Sequence, residues 1–120
     1  MIFGTIDTWL SAKMTGLKSI ATDSSNASRT MLMDINSLEW SDKMIAEFGL
    51  EKRWLPKIHK SSSSDFGTVS ELVGFEGVQI GGAIGDQQAA CLGHLLKPGQ
   101  VKNTYGTGCF MLANTGENPV

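Results

Sequence analysis

The sequence predicts an α/β fold, because its last third contains, in this order, a strand, a polar break, a helix and a hairpin. Residues 78–85, "VQIGGAIG", are a small-residue strand whose glycines would let another backbone approach closely. A helix is predicted from Asp86 to about Leu95. Residues 100–105 and 109–114 then flank Gly106-Thr107-Gly108 as two strands around a three-residue loop. This order does not suit an all-helical bundle.

The first third of the chain predicts one helix and one strand. Residues 5–16, "TIDTWLSAKMTG", place Ile6, Leu10 and Met14 at i, i+4 and i+8, and Gly16 is a natural helix stop. Residues 19–23 are a candidate strand. Residues 24–30, "SSNASRT", predict a loop, because such side chains hydrogen-bond their own backbone. Residues 31–35 are predicted to be extended.

Residues 39–50, "EWSDKMIAEFGL", are the strongest local helix signal in the chain. Ser41 can cap the helix, Trp40 before it can pack on Ile45, and Gly49 supplies a left-handed terminus. One further helical turn should end at Pro56. The serine run that follows, residues 59–67, predicts a solvated connector.

Composition limits the classes of function. The chain has 120 residues, 41% hydrophobic and 18% charged, as expected for one soluble globular domain. A net charge of −2 gives no electrostatic footprint for nucleic acid, and no apolar run approaches the ~20 residues of a membrane span. Two cysteines and two histidines at scattered spacing predict no metal site. Because the first residues lack a signal-peptide pattern, we expect reduced thiols and a cytoplasmic protein.

Asp86 has two interpretations. A carboxylate at the start of a helix, after a strand, lies where α/β proteins commonly bind ligands, and the helix dipole keeps it ionised. There it could accept the proton of an alcohol whose oxygen attacks phosphorus, with Gln87 bonding a second hydroxyl. Aspartate is also a favoured helix cap when no ligand exists.

The hairpin loop is equally open to two interpretations. The glycines permit positive φ and bare backbone, so successive N–H groups could converge on a phosphate, helped by the Thr107 hydroxyl. A tight turn that needs glycine for geometry alone is the alternative. Phe110 should share a face with Gly108, either as an apolar wall for a small ligand or as part of the core.

Several stretches of the chain resemble the glycerol-phosphorylating members of the FGGY carbohydrate-kinase family. They are "FGTIDTWL", "TDSSNASRTML", "GDQQAA" and "KNTYGTGCFMLANTG", and the likeness runs from Phe3 to the last residues. The resemblance implies an actin-like, ribonuclease-H-like fold with two α/β domains that close on a cleft. It further implies ATP-dependent phosphorylation of glycerol to sn-glycerol 3-phosphate, with Mg²⁺, by an enzyme that forms homo-oligomers.

Site residues follow from the same resemblance. Asp86 is similar to the family's catalytic base and glycerol ligand, and Gln87 to a second glycerol contact. Thr107, with Gly108 beside it, resembles the contact to the nucleotide phosphates, and Phe110 the wall against glycerol's carbons.

The resemblance also implies that the chain is a middle segment, with residues 1–95 ending one domain and residues 96–120 beginning the next. The family's Asp-x-Gly-Thr phosphate loop has no counterpart, so we expect the segment to be inactive alone. Residues 68–82 lack the arginine-bearing loop that binds fructose 1,6-bisphosphate, so no such control is expected. Two alternatives stay open: a short non-catalytic product that binds a full-length kinase subunit, or an FGGY kinase for another polyol.

Overall fold

The computed structural model describes residues 1–119 and divides into two compact units, Met1–Ile84 and Gly85–Val120. Both units contain helix and strand, in agreement with the predicted α/β class. Among the described residues, no helix combines the length and the apolar character of a bilayer span.

The first unit contains three α-helices and four short strands. In chain order they are α1 (Ile6–Met14), β1 (Ala21–Asp23), α2 (Ser24–Ala27), β2 (Met33–Asp34), β3 (Glu39–Trp40), α3 (Asp42–Glu47) and β4 (Lys57–His59), with 3₁₀ turns at Ser28–Thr30, Lys52–Trp54 and Ser64–Phe66. Strands β1 and β4 pair in parallel, with Thr22 opposite Ile58, and β2 pairs antiparallel with β3. The fully buried residues gather around β1 and include Ala21, Thr22, Asp23, Ala27 and Phe66.

Helix α1 is confirmed, and Gly16 ends it with a φ of 62°. The apolar stack predicted from periodicity is nevertheless not the buried side, since Ile6 and Leu10 are exposed. The buried positions are small or hydroxylated: Thr8, Ser11, Ala12 and Thr15. The Thr15 hydroxyl donates to the Ser11 carbonyl at 2.8 Å, so its polar atom is satisfied inside the unit. Periodicity thus located the helix but not its packed face.

The loop prediction for residues 24–30 is wrong. Asp23 caps a short helix there, because its carboxylate accepts hydrogen bonds from the Ser25 and Asn26 N–H groups, each at 3.0 Å. Side chains that hydrogen-bond nearby backbone are common in loops, but here they bond the free N–H groups at the start of a helix. The predicted extended segment after it is confirmed only at Met33–Asp34.

Helix α3 agrees with its prediction. The Ser41 hydroxyl accepts from the Met44 N–H at 3.4 Å, and Gly49 adopts a φ of 64° just beyond the helix. The Trp40 indole donates to the Pro56 carbonyl at 2.7 Å, which joins β3 to the segment that enters β4. The predicted further turn is the 3₁₀ turn Lys52–Trp54.

The serine run is not a solvated connector. It begins inside β4, continues through an isolated bridge between Ser62 and Gly82, and enters a 3₁₀ turn that buries Phe66 completely. Parallel pairing with β1, far away in sequence, orders this segment, and no local composition signals such a pairing.

The strand predicted at residues 78–85 is also wrong as a regular element, since it forms only the bridges Thr68–Gln79 and Ser62–Gly82. The close approach that its glycines suggested is present at Gly82. A Cβ there would lie 2.1 Å from the Ser61 carbonyl oxygen. At Gly81 nothing lies within 4 Å, so that glycine has no steric requirement of this kind.

The second unit consists of α4 (Asp86–Gly93) and an antiparallel hairpin of β5 (Val101–Tyr105) and β6 (Cys109–Ala113). The hairpin and its three-residue loop confirm the prediction, and α4 ends two residues before the expected Leu95. The register pairs Lys102 with Leu112 and Thr104 with Phe110. Because directly opposite residues share a face, these four side chains lie on one side of the hairpin.

Candidate functional site

Asp86 is the first residue of α4 rather than its cap. Gly85 takes the N-cap position in an extended conformation. The Asp86 side chain is exposed, and its Oδ1 accepts from the Gln87 N–H at 2.7 Å. The interpretation of Asp86 as a structural cap is therefore wrong for this helix. An exposed carboxylate in the first helical turn can accept a proton or bond a hydroxyl.

Gln87, the next residue, joins the helix to the hairpin. Its Oε1 accepts from the Lys102 ammonium at 2.6 Å and from the Thr104 hydroxyl at 3.2 Å. The Lys102 ammonium also donates to Thr104 Oγ1 at 2.6 Å, so the three side chains form a closed triangle. Lys102 is only 7% exposed, which makes it a buried cation in a small unit.

The Gly106-Thr107-Gly108 loop does not use positive φ at either glycine. The Gly106 N–H donates to the Gly108 carbonyl at 3.1 Å, so it is engaged within the loop and cannot also face a phosphate. Thr107 lies exposed at the tip. The loop can therefore offer a ligand the Thr107 hydroxyl and the backbone around it, a smaller set of donors than three convergent N–H groups.

The reason for glycine at position 108 is steric. A Cβ on Gly108 would lie 2.8 Å from Cε2 of the Phe110 ring, which is shorter than the van der Waals distances that Cβ atoms make in proteins. The predicted shared side of Gly108 and Phe110 is thus correct. Phe110 is 47% exposed, so its ring is a partly open apolar surface rather than a core residue. At Gly106 a Cβ would meet only the Gly108 carbonyl oxygen at 3.8 Å, an ordinary contact.

The second unit brings three of the five predicted residues to one face. Gln87 contacts Thr104, Thr104 lies opposite Phe110, and the Phe110 ring covers Gly108. Asp86 adjoins this face through Gln87. Within residues 85–119, no hydrogen bond joins Thr107 to Asp86 or Gln87, so the structure leaves Thr107 at the loop tip without linking it to them.

Sequence reasoning missed Lys102 and Thr104. A lysine in a strand suggests a solvated side chain, so neither residue was singled out. The alternation of side chains along the two strands contains the relevant signal. Lys102 and Thr104 are two residues apart, so they lie on the same face of the hairpin as Phe110 and Leu112. A charged residue on the apolar side of a hairpin indicates a buried polar group that needs partners.

A separate cleft of about 470 Å³ in the second unit contains none of the five predicted residues. Its lining combines the later turns of α4 with the end of β6: Gln88, Cys91, Leu92, Leu95, Leu96, Leu112, Ala113, Asn114 and Thr115. Leu92 and Leu95 are 67% and 78% exposed. The residues that line this cleft include neither a carboxylate nor a charged donor, whereas Asp86 and Lys102 adjoin Gln87.

Residues 1–119 contain no cluster of three or more histidine, cysteine, aspartate or glutamate side chains that could hold a metal ion. Cys91 and Cys109 are free thiols. In this part of the chain, fewer than three such side chains could therefore ligate the same metal ion.

Comparison with known proteins gives concordant results. The model of the FGGY family of carbohydrate kinases, N-terminal domain, matches residues 1–93. A glycerol kinase of Pseudomonas fluorescens Pf-5 is 50% identical over 121 residues, which cover 100% of this chain and 23% of that protein. One of Rhodopirellula baltica is 51% identical over 118 residues, 98% of this chain and 22% of that protein.

A solved structure is also similar to this chain. The crystal structure of Plasmodium falciparum glycerol kinase with ADP superposes with a TM-score of 0.90 at 44% identity, covering 98% of this chain and 24% of that chain. This agreement confirms the α/β fold of the actin-like class. The chain spans about a quarter of the length of the relatives it matches.

Proposed function

The chain belongs to the FGGY family of carbohydrate kinases, and from this premise we propose that the intact gene product phosphorylates glycerol with ATP. By intact gene product we mean the polypeptide that carries these 120 residues in the cell. The proposal is supported by the side chains that lie together on one face of the second unit. There an exposed carboxylate, Asp86, adjoins a fixed amide, Gln87, and a half-open aromatic ring, Phe110. Glycerol offers hydroxyls to the first two and carbons to the third.

Asp86 is the proposed base. In phosphoryl transfer the protein mainly positions the nucleophile and neutralises charge, and an aspartate that accepts the hydroxyl proton is a recurring part. Its exposure in the first turn of α4 supports this role, since within residues 1–119 the carboxylate accepts a hydrogen bond only from the adjacent Gln87 N–H. The product is then sn-glycerol 3-phosphate, with Asp86 and Gln87 holding the glycerol hydroxyls.

The hairpin loop is the proposed contact to the nucleotide, through the Thr107 hydroxyl and the adjoining backbone of Gly108. The exposure of Thr107 supports this role. ATP in such enzymes brings Mg²⁺, which usually binds through phosphate oxygens with one or two carboxylates rather than in an all-protein cage. Because such an ion takes most of its ligands from phosphate and water, its binding does not require a metal-ligating cluster among the described residues.

We further propose that residues 1–95 end the first domain of the kinase and that residues 96–120 begin its second. The match of the N-terminal family model to residues 1–93 supports this boundary. We also propose that the enzyme is cytoplasmic, because ATP and glycerol are both available there, and that it is a homo-oligomer, as the resemblance to this kinase family implies.

The direct test is to isolate the intact gene product from its source cells and determine its mass and its activity. We expect a mass several times 12.9 kDa and glycerol-dependent ATP consumption that forms sn-glycerol 3-phosphate. A panel of other polyols separates glycerol from alternative substrates of the family. A purified product that turns over another polyol in preference, or none, contradicts the proposal. A product of 12.9 kDa without ATP turnover favours a binding partner of a kinase instead.

The contact between Gly108 and Phe110 gives a first prediction. Gly108→Ala should displace the Phe110 ring, because the new methyl group would lie 2.8 Å from it. We expect kcat/KM for glycerol to fall roughly tenfold or more, since small misplacements at a reacting site are costly. Steady-state kinetics of the intact product measure this effect. Gly93→Ala is the matched control, because nothing lies within 4 Å of a Cβ at that position. A kcat/KM for glycerol in Gly108→Ala equal to that of Gly93→Ala would contradict the role of the Phe110 ring.

A further inference from the structure

We propose that Lys102 is a positioning residue that fixes the direction of the Gln87 amide, with Thr104 as its helper. The inference rests on the proposed function, in which Gln87 bonds glycerol. It adds two residues to that site and states which hydrogen-bonding group Gln87 presents. The geometric basis is the closed triangle of Gln87 Oε1, Lys102 Nζ and Thr104 Oγ1, with sides of 2.6, 2.6 and 3.2 Å.

The chemistry of the lysine decides the orientation of the amide. An ammonium group has three donors and no acceptor, so the amide atom 2.6 Å from it must be the oxygen of Gln87. The Nε2 group therefore points away from the triangle. Within residues 1–119, Gln87 Nε2 makes no hydrogen bond to protein. Gln87 can then meet a ligand only as a donor.

The burial of Lys102 makes this arrangement rigid. Lys102 is buried, its ammonium bonds Gln87 at the start of α4 and Thr104 in its own strand, and no carboxylate among the described residues pairs with it. A buried ammonium must keep its hydrogen bonds, because leaving it unsatisfied is strongly unfavourable. The Gln87 oxygen is consequently held by a charge-assisted bond, which is shorter and stronger than a neutral one.

The result is a pair of neighbouring groups with opposite hydrogen-bonding character. The Asp86 carboxylate only accepts, and the Gln87 amide, fixed by Lys102, only donates toward the ligand. A hydroxyl that gives its proton to Asp86 can accept from Gln87, or two adjacent hydroxyls can divide these roles. A ligand that presents only donors to Gln87 would be rejected, so the triangle contributes to selection of a polyol.

The test is a double-mutant cycle in the intact gene product, with glycerol kinetics and thermal melts for each variant. Lys102→Met removes the ammonium and keeps the aliphatic stem, and we expect kcat/KM for glycerol to fall roughly 10–100-fold with the KM for ATP unchanged. Because Lys102 acts through Gln87, the double variant Lys102→Met/Gln87→Ala should lose no more than Gln87→Ala alone. Lys97→Met, the same change at an exposed lysine of the same unit, should behave as wild type.

Substitution of Thr104 provides a second test, with a smaller expected effect. Thr104→Val removes the hydroxyl at constant shape and should raise the glycerol KM severalfold, whereas Thr104→Ser keeps the hydroxyl and should restore it. Additive losses in the double variant, or equal behaviour of Thr104→Val and Thr104→Ser, would overturn the inference. A wild-type product without glycerol phosphorylation would overturn the proposed function itself and this inference with it, and that result appears before any variant is made.

Discussion

In the intact gene product, Asp86→Asn should lower kcat for glycerol phosphorylation by roughly 10²–10⁴, the usual contribution of a positioned general base. Asparagine has the shape of aspartate, and its Oδ1 can still accept from the Gln87 N–H, so the start of α4 is preserved. What the variant lacks is a group that can take the hydroxyl proton of glycerol. The glycerol KM should change less than kcat, since an amide oxygen can still bond a hydroxyl.

Helix stability offers a rival explanation for a loss at Asp86, because an acidic residue in the first turn also interacts with the helix dipole. Asp42 provides the matched control. It is likewise an exposed first residue of a helix, α3, and it also bears a charge in the first turn. Asp42→Asn removes the first-turn charge of α3 together with an exposed ion pair to Lys52, which contributes little at the surface, and it should leave kcat unchanged. A fall in kcat of less than tenfold in Asp86→Asn, or a similar fall in both variants, would remove Asp86 from the mechanism.

Local signals in the sequence predicted those elements whose cause is local. Ser41, Gly49 and Gly16 each fix an element boundary through their own backbone or hydroxyl, and the structure confirms all three. The hairpin is of the same kind, because its strands are separated by only three residues. Helix starts and strand alternation can also be counted along the chain, and they indicate Asp86 and Phe110 as candidate site residues.

Elements that depend on distant partners were missed. The serine run is ordered because β4 pairs with β1 and because the Ser61 hydroxyl donates to Asp23, 38 residues away in sequence. The buried face of α1 was misjudged for a related reason, since its neighbours at β1 accommodate small hydroxylated residues rather than Ile6 and Leu10. Lys102 shows the same limit at the site, because its burial depends on how the hairpin packs against α4.

Asp23 gives the second large prediction, now for stability. Its carboxylate is fully buried, yet it accepts five hydrogen bonds. Burial raises the pKa of the Asp23 carboxyl, but the hydrogen bonds from Ser25, Ser61 and Asn26 together outweigh it, so this pKa lies below its usual value. The ionised form therefore contributes to stability, and it links the cap of α2 to the serine run.

Asp23→Asn should lower the free energy of unfolding of the first unit by about 2–4 kcal/mol, because the substitution weakens the cap of α2 and buries an amide donor that has no partner. The loss follows whichever way the amide turns. Oδ2 faces the Ser25 N–H, and Oδ1 faces the Asn26 N–H and Nδ2, so the new NH₂ group must oppose a fixed donor on either side. Urea unfolding of the intact product measures the effect as a lower midpoint.

Asp34→Asn is the control for this change, because Asp34 is an exposed aspartate that accepts from the Asn36 N–H at 2.8 Å in a similar local turn. It should shift the midpoint little. A midpoint in Asp23→Asn equal to that of Asp34→Asn would show that the buried carboxylate is not what holds α2 to the serine run.

Acid should reproduce the Asp23 effect in the wild type. Because the folded pKa of Asp23 lies below its unfolded value, its contribution is complete above the unfolded pKa of about 3.9 and is lost as pH falls through the folded pKa. The difference in stability between wild type and Asp23→Asn should therefore be constant near neutrality and shrink below about pH 4. A difference that persists undiminished to pH 2 would mean that the neutral side chain, rather than the ionised carboxylate, stabilises this cluster.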